Sequence, residues 1–135
     1  MTSAEEFTEF AAAYVQCATT VTPVDTATNT AGAPIRRVTS PFAMAFTPDG
    51  RTLYVTDYGA GEVTPISTVT NTAGPPVSVG RYPVAIAVTP DGRTAYVVNF
   101  AQSSKGTVTP ISTATGTPAK PITAGTGARA LVIVP

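Results

Sequence analysis

The amino-acid sequence predicts an all-β fold built from repeated units, and three observations lead to that prediction. The hexapeptide Thr-Pro-Asp-Gly-Arg-Thr at 47–52 returns unchanged at 89–94, which is 42 residues later. An apolar run precedes both copies, and a Tyr-Val run follows both copies. Self-similarity at a fixed spacing of this length indicates a modular architecture in which each repeat is one supersecondary unit.

The first two strands of each predicted unit flank the hexapeptide. The first strand is the apolar run at 42–46 and 84–88, which shows little polar alternation and so suits a strand buried on both faces. Pro-Asp-Gly then predicts a tight turn, because proline presets φ and glycine supplies a positive φ. The second strand carries Tyr-Val among β-branched neighbours, at 53–57 and 95–99.

The third and fourth predicted strands follow a loop of variable length. The third strand is Val-Thr-Pro-Ile-Ser-Thr, at 63–68 and again at 108–113. Its proline lacks the N–H that a ladder needs, so we expect that position at an open edge or at a bulge. A ragged fourth strand at 76–79 and 119–122 also contains proline, which fits an outer edge strand.

Partial copies of the unit lie at both ends of the repeat. Upstream, Val-Thr-Pro at 21–23 precedes its counterpart by 42 residues, and Tyr14-Val15 is a degraded Tyr-Val run. Downstream, the apolar segment 130–135 aligns with 85–90. The first unit thus lacks an innermost strand, and the last segment is a spare one. We predict a single domain, 1–135, with three units at about 13–38 (completed by 130–134), 39–80 and 81–125.

Four short strands every 42 to 45 residues are the pattern of a β-propeller blade. The sequence resembles the YVTN repeat propellers, which are found in surface-layer and periplasmic proteins. The matching residues are the two hexapeptides, Tyr54–Asp57 (Tyr-Val-Thr-Asp) and Tyr96–Asn99 (Tyr-Val-Val-Asn), and the resemblance covers roughly residues 13 to 135. It implies a propeller of antiparallel four-stranded blades. Related propellers include lactonases and streptogramin lyases, so the resemblance does not select an activity.

About three blades are too few for a closed ring, since closed propellers have at least about four. An open set of blades leaves sheet edges and an apolar flank exposed, which favours pairing with another copy of the chain. We therefore expect a homo-oligomer in which segment 130–134 of one chain completes the first blade of the next. Two chains would form a six-bladed ring, because head-to-tail contacts commonly close into cyclic assemblies. The alternative is a truncated fragment that aggregates.

The N-terminal segment has two interpretations. Ser3 and Glu6 form a capping-box pattern, and Phe7 and Phe10 follow at helical spacing, which predicts a short helix over about residues 4 to 13. The repeat instead predicts a strand that begins where this helix would end. Both hold if the helix stops before the strand.

Composition and charge narrow the class of function. Charged residues make up 12% of the chain, about half the usual share, and the formal net charge is zero. The chain therefore has no net electrostatic field that would attract nucleic acid or an anionic membrane. No stretch is long enough to span a bilayer, so we expect no membrane insertion. The acidic start lacks a signal-peptide pattern, so the chain as written is expected in the cytoplasm, although members of the family that it resembles are commonly exported.

Catalytic constellations are mostly absent from the sequence. There is no histidine, which removes the usual general base, the Ser-His-Asp triad and the commonest zinc ligand. Asp49 and Asp91 belong to the repeated turn, where aspartate caps its own backbone. The one cysteine, Cys17, is expected to be a buried, inert thiol, and the alternative is a reactive or intermolecular thiol. We expect no enzyme activity, no catalytic residue, no bound metal and no cofactor.

The candidate ligand site lies on one face of the predicted propeller. The loops that join second to third strands, and those that enter each first strand, gather there around the channel, where propellers usually bind ligands. Aromatic and arginine side chains beside small residues are typical of recognition surfaces. The alternative is that the polar members cap turns and the aromatic members pack between blades. The predicted loop-face residues are Asp57, Tyr58, Glu62, Arg81, Tyr82, Asn99, Phe100, Gln102, Lys105 and Arg129.

The sequence favours a non-enzymatic propeller scaffold that binds a protein or a small ligand on this loop face. One alternative is a metal-dependent relative of the lactonases or lyases, in which oligomerisation brings Asp57 and Glu62 from several chains around a divalent ion. Thermal stabilisation by metal would support that alternative. Another alternative is a propeller fragment that has no separate activity.

Overall fold

The computed structural model describes residues 12–135, which form three antiparallel sheets and contain no helix. The first sheet has the order β1-β2-β3 and comprises β1 (Ala12–Gln16), β2 (Val21–Asp25) and β3 (Thr30–Ala31). The second sheet has the order β4-β5-β6-β7, with β8 also on β6, and comprises β4 (Pro41–Phe46), β5 (Thr52–Asp57), β6 (Glu62–Ser67), β7 (Thr72–Ala73) and β8 (Val77–Ser78).

The third sheet repeats the plan of the second, with β9, β10 and β11 in the places of β4, β5 and β6. It comprises β9 (Pro83–Val88), β10 (Thr94–Asn99), β11 (Lys105–Ser112), β12 (Thr117–Pro118) and β13 (Ile122–Thr126). The three sheets correspond to about three propeller blades, so the predicted all-β blade architecture is confirmed. The helix predicted near the N-terminus falls almost entirely outside the described residues, and β1 begins at Ala12.

The first blade differs from the other two at its inner edge. In each blade a tyrosine of one strand stands opposite the proline of the next strand, and the pairs are Tyr14 with Pro23, Tyr54 with Pro65, and Tyr96 with Pro110. This register makes β1 the counterpart of β5 and β10. The inner edges of β5 and β10 are covered by β4 and β9, whereas β1 pairs only with β2 among the described residues.

The outer strand of the second and third blades is broken into two short pieces, and a proline explains the break. The Pro65 carbonyl accepts a hydrogen bond of 2.7 Å from the Gly74 backbone N–H on the outer side of β6. Because the nitrogen and carbonyl of a strand residue point to the same side, the Pro65 nitrogen also faces the outer strand and has no hydrogen to donate. The outer strand therefore leaves β6 there, between β7 and β8.

Pro110 repeats this arrangement in the third blade, where it accepts a hydrogen bond of 2.7 Å from the Ala119 N–H. Each proline was expected at an open edge or at a bulge. It lies instead in a strand that is paired on both sides and faces the break in the outer strand. The fourth strand predicted at 119–122 is correspondingly misplaced, since β12 ends at Pro118 and β13 begins at Ile122.

Two apolar clusters hold the three blades in a row. One lies between the first and second blades and includes Val21, Leu53 and Ile66. The other lies between the second and third blades and includes Val63 and Ile111. As a result the strand β5, in the middle blade, is buried at every residue after the first, whereas β1 has no buried residue. Each end blade has one face that the described residues do not cover.

Candidate functional site

Three aromatic rings form a continuous row where the second blade meets the third. The ring of Tyr58 stacks on that of Phe42 with 5.4 Å between centroids and an interplanar angle of 25°. The ring of Tyr82 lies 4.9 Å from that of Tyr58, tilted by 32°. Phe42 and Tyr82 are 49% and 44% exposed. We call these three residues the aromatic row.

Backbone hydrogen bonds place the row at the ends of strands. Tyr58 follows β5 and donates its N–H to the Ser40 carbonyl at 2.9 Å, just before β4. Phe100 follows β10 and donates its N–H to the Tyr82 carbonyl at 2.9 Å, just before β9. In the second and third blades, the loop after the second strand is therefore hydrogen-bonded to the residue that precedes the first strand.

Tyr82 has a backbone conformation that bulky residues rarely adopt. Its φ is 54°, in the left-handed region. Holding a tyrosine there costs about 1 kcal/mol or more, so the surrounding structure must select it. This conformation brings the Tyr82 ring against Tyr58 and completes the row.

A cavity of about 430 Å³ borders the row and is lined by Phe42, Tyr58, Val84, Phe100 and Arg129. The Arg129 guanidinium carbon lies 4.8 Å from the centre of the Phe100 ring, which is the geometry of a cation–π contact. The cavity thus combines apolar walls with one exposed positive charge. These are the features of a site for a small ligand.

A second depression of about 440 Å³ lies on the other side of Tyr58. Its lining includes Arg81, Tyr82 and the loop Gly59–Gly61. Tyr58 therefore forms a wall shared by both depressions. A ligand larger than one ring could occupy both, with an arginine at each.

Asp57 is not available to a ligand. It is 3% exposed, and both carboxylate oxygens accept hydrogen bonds from the chain around it. One oxygen accepts from the N–H and the hydroxyl of Thr39, each at 3.0 Å, and the other accepts from the Ala60 N–H at 3.1 Å. The side chain therefore fastens the β5–β6 loop to the entry of β4.

Asn99 occupies the corresponding place in the third blade and is also 3% exposed. Its Nδ2 donates to the hydroxyl oxygens of Thr109 at 2.9 Å and Thr107 at 3.1 Å. Its Oδ1 is the one buried side-chain polar atom among the described residues without a partner. Like Asp57, Asn99 serves the packing of its blade rather than an open surface.

The other predicted polar residues lie around the site or away from it. Glu62 is half-buried at the start of β6, opposite Asp57 and Ser78. Gln102 is exposed in the loop between β10 and β11, Lys105 is exposed at the start of β11, and neither residue lines either depression. Among residues 12–135, no three His, Cys, Asp or Glu side chains lie close enough together to hold a metal ion.

Cys17 is exposed, so the prediction of a buried thiol was wrong. It follows Tyr14 by three residues, as Asp57 follows Tyr54, and therefore stands at the end of the strand that borders the open side of the first blade. Its sulfur lies 3.9 Å from the Val15 carbonyl and 4.0 Å from the Thr22 hydroxyl. Cys17 is left uncovered because no described strand pairs with the inner edge of β1.

Two lining residues, Phe42 and Val84, were not among the predicted site residues. Both belong to apolar runs that were predicted as strands buried on both faces. Phe42 is exposed because it lies at the end of β4 nearest the loops. A bulky ring at the loop end of the strand is the signal that could have identified it.

The described residues include no helix that is both long and apolar enough to cross a membrane. No family model matches the sequence, and no curated protein matches it.

Solved structures of other proteins do resemble this fold. The hydrazine synthase of Kuenenia stuttgartiensis is similar over 89% of this chain and 35% of its own, with a TM-score of 0.83 and 26% identity. The dihydro-heme d1 dehydrogenase NirN is similar over 90% of this chain and 27% of its own, with a TM-score of 0.74 and 21% identity.

A putative 6-phosphogluconolactonase from Bacteroides uniformis is also similar, with a TM-score of 0.76 and 17% identity over 92% of this chain and 41% of its own. The chain thus spans between about a quarter and two fifths of the proteins that it resembles. These similarities support a β-propeller architecture, in agreement with the three blades described above.

Proposed function

We propose that this chain is a non-enzymatic β-propeller binding module of the YVTN type, whose ligand packs against the aromatic row and the cavity beside it. The family assignment is supported by the runs Tyr54–Asp57 and Tyr96–Asn99, which occupy equivalent strands of two blades. The whole-protein activities named for the similar structures belong to chains of which this one covers less than half.

The observation that carries the proposal is the exposure of stacked aromatic rings beside an arginine. Phe42 and Tyr82 present much of their surface to solvent, and Arg129 adds a positive charge across the cavity. Aromatic and arginine side chains in a concave site are the residues that most often dominate binding energy. The chemistry fits a planar or apolar group that carries a negative charge.

The buried polar side chains support binding rather than catalysis. The Asp57 carboxylate is committed to Thr39 and Ala60, and the chain has no histidine that could act as a general base. A metal site built from Asp57 and Glu62 of several chains would require Asp57 to abandon three internal hydrogen bonds. The geometry therefore favours the binding module over the metal-dependent enzyme.

The test is an NMR titration of the protein with 2-naphthalenesulfonate, a planar anionic probe. We expect shift changes centred on Phe42, Tyr58 and Tyr82, and an affinity at least about 10-fold lower for Phe42→Ala, which equals about 1.4 kcal/mol. The neutral 2-naphthalenesulfonamide should bind more weakly, because it loses the attraction to Arg129.

The matched control is Val69→Ala, which removes an apolar side chain of similar exposure, 44%, in the turn after β6. This variant should bind the probe as the unaltered protein does. Equal losses in Phe42→Ala and Val69→Ala, or shift changes spread over the whole surface, would contradict a site at the aromatic row.

A further inference from the structure

We propose that residues 130–134 of one chain pair with the inner edge of β1 in a second copy, where they become the innermost strand of its first blade. Two chains that exchange this segment in both directions form a six-bladed ring. The proposal concerns the sheet edges of the end blades and does not depend on the ligand site.

The acceptor is the inner edge of β1. Among the described residues this strand pairs only with β2, while the same edge of its counterparts is covered by β4 and β9. An uncovered edge presents backbone N–H and C=O groups that readily pair with a further strand. The inner edge of β1 therefore lacks the neighbouring strand that β5 and β10 have in the other two blades.

The donor is the segment that follows the third blade. Residues 130–134 lie outside every strand, and Val132 and Val134 are 91% and 87% exposed. Leu131 and Ile133 are half-buried, so exposure alternates from 131 to 134 as it does along a β-strand. A run of exposed valines without backbone pairing is a strand that lacks its neighbour.

The turn before the segment repeats the turn before β9. Val77 pairs with Val63, and Ile122, 45 residues later, pairs with Val108 in the same way. The same spacing makes Gly127 the counterpart of Tyr82, and both have a positive φ, 73° and 54°. The chain therefore turns into residues 130–134 as it turns into the inner strand β9.

The arrangement of the blades keeps the segment away from the chain's own first blade, so we assign it to a second copy. One apolar cluster joins the first and second blades, another joins the second and third, and neither joins the first and third. The inner edge of β1 and residues 130–134 thus lie at opposite ends of a row of three blades. Two such rows placed end to end bring each segment to the other chain's β1, and the resulting ring leaves no free edge.

The internal repeat specifies the register of the exchange. In the third blade Tyr96 pairs with Ala87, and Asn99 pairs with Pro83. Transferred to the first blade, the same register places Tyr14 opposite Val132 of the second copy. It also places the exposed Cys17 opposite residue 128 of that copy.

This register is tested by replacing Ala128 with cysteine, so that it can form a disulfide with the natural thiol of Cys17 in the other copy. Directly opposed residues of antiparallel strands have Cα atoms about 4.5–5.5 Å apart, which is within disulfide range. Under mild oxidation of the 135-residue chain, Ala128→Cys should give a covalent dimer as the main product. Both disulfides of a closed ring join the same two chains, so no larger species should form.

The control is Val134→Cys, which puts a thiol near the end of the donor segment, about 20 Å farther along the strand than residue 128. It should give little dimer, and Ala128→Cys combined with Cys17→Ser should give none. Equal dimer yields from the two single variants would mean random collision and would overturn the register. A ladder of trimers and longer products would overturn the closed ring.

A second pair of variants tests the strand pairing without any disulfide. Val132→Pro removes a backbone donor from the segment, whereas Val132→Thr keeps a β-branched residue. Because Val132 is almost fully exposed in the single chain, neither change should disturb the fold of its own blades. Sedimentation should show dimer affinity at least about 10-fold lower for the proline variant and unchanged for the threonine variant. Equal affinities in both variants would overturn the proposal.

Discussion

At the scale of single residues, the carboxylates of this chain divide into local and long-range roles. Asp49 accepts hydrogen bonds from the Thr47 hydroxyl at 2.6 Å and the Arg51 N–H at 3.0 Å, all within one turn. This role was predictable, since the hexapeptide contains every partner. The partner of Asp57, in contrast, is Thr39, 18 residues away, and only the packing of the blade brings the two together.

Asp57→Ala tests the long-range role. We expect the free energy of unfolding to fall by about 3 kcal/mol, because the N–H groups of Thr39 and Ala60 would lose their buried acceptor. Asp25→Ala is the control, since the Asp25 carboxylate caps an exposed turn through the Ala27 N–H and should cost about 1 kcal/mol. Urea unfolding measures both, and equal losses would contradict a special role for Asp57.

The repeated turns contribute a pH dependence. Hydrogen bonds from the Thr47 hydroxyl and then the Arg51 N–H lower the pKa of Asp49, and Thr89 and Arg93 lower the pKa of Asp91 in the same way. A lowered folded-state pKa contributes stability above the unfolded pKa, near 4, that is lost as pH falls through the folded value.

Asp49→Asn combined with Asp91→Asn should therefore flatten the loss of stability below about pH 4. The effect should be small, because both side chains are exposed. Urea unfolding measured at several acidic pH values checks it. An unchanged slope in the double variant would show that other groups govern the acid response.

At the scale of elements, the sequence predicted inner strands better than outer ones. The predicted strands 42–46 and 53–57 differ from β4 and β5 by one residue at their starts. The apolar runs marked both strands, and β5 is buried at every residue after the first. The expected burial of 42–46 on both faces was wrong, since β4 contains no buried residue. The outer strand has few apolar residues and is interrupted opposite Pro110, so no periodic signal marked the position of β13.

Loop glycines give a prediction at the same scale. Gly61 has a φ of 68°, and a Cβ added there would lie 2.5 Å from the Gly80 carbonyl oxygen. Gly61→Ala should therefore lower the free energy of unfolding by about 3 kcal/mol, through backbone strain and steric clash together.

Gly116→Asn is the matched control for Gly61→Ala. Gly116 has nearly the same φ, 67°, but the nearest atom to an added Cβ is a Val77 methyl carbon at 4.0 Å, and Asn71 adopts a φ of 55° at the equivalent turn. Gly116→Asn should lower the free energy of unfolding by less than about 0.5 kcal/mol. Thermal and urea unfolding measure both variants, and similar losses would show that steric contact at Gly61 is unimportant.

At the scale of the whole molecule, the repeat revealed the number of blades but not how the loops combine. The aromatic row joins Phe42, Tyr58 and Tyr82, which come from a strand, a loop after a strand and a turn before one. Their contact depends on the packing of the second blade against the third and on the unusual φ of Tyr82. No sequence pattern specifies either feature. The row therefore contains Tyr58 and Tyr82, which were predicted, and Phe42, which was not.

The central claim about the whole molecule is that three blades form half of a ring. The most direct test is absolute mass by light scattering on a size-exclusion column. We predict a single peak with twice the mass of one chain, and the mass of one chain for Val132→Pro. A peak at the mass of one chain for the unaltered protein, or at three times that mass, would contradict the six-bladed ring.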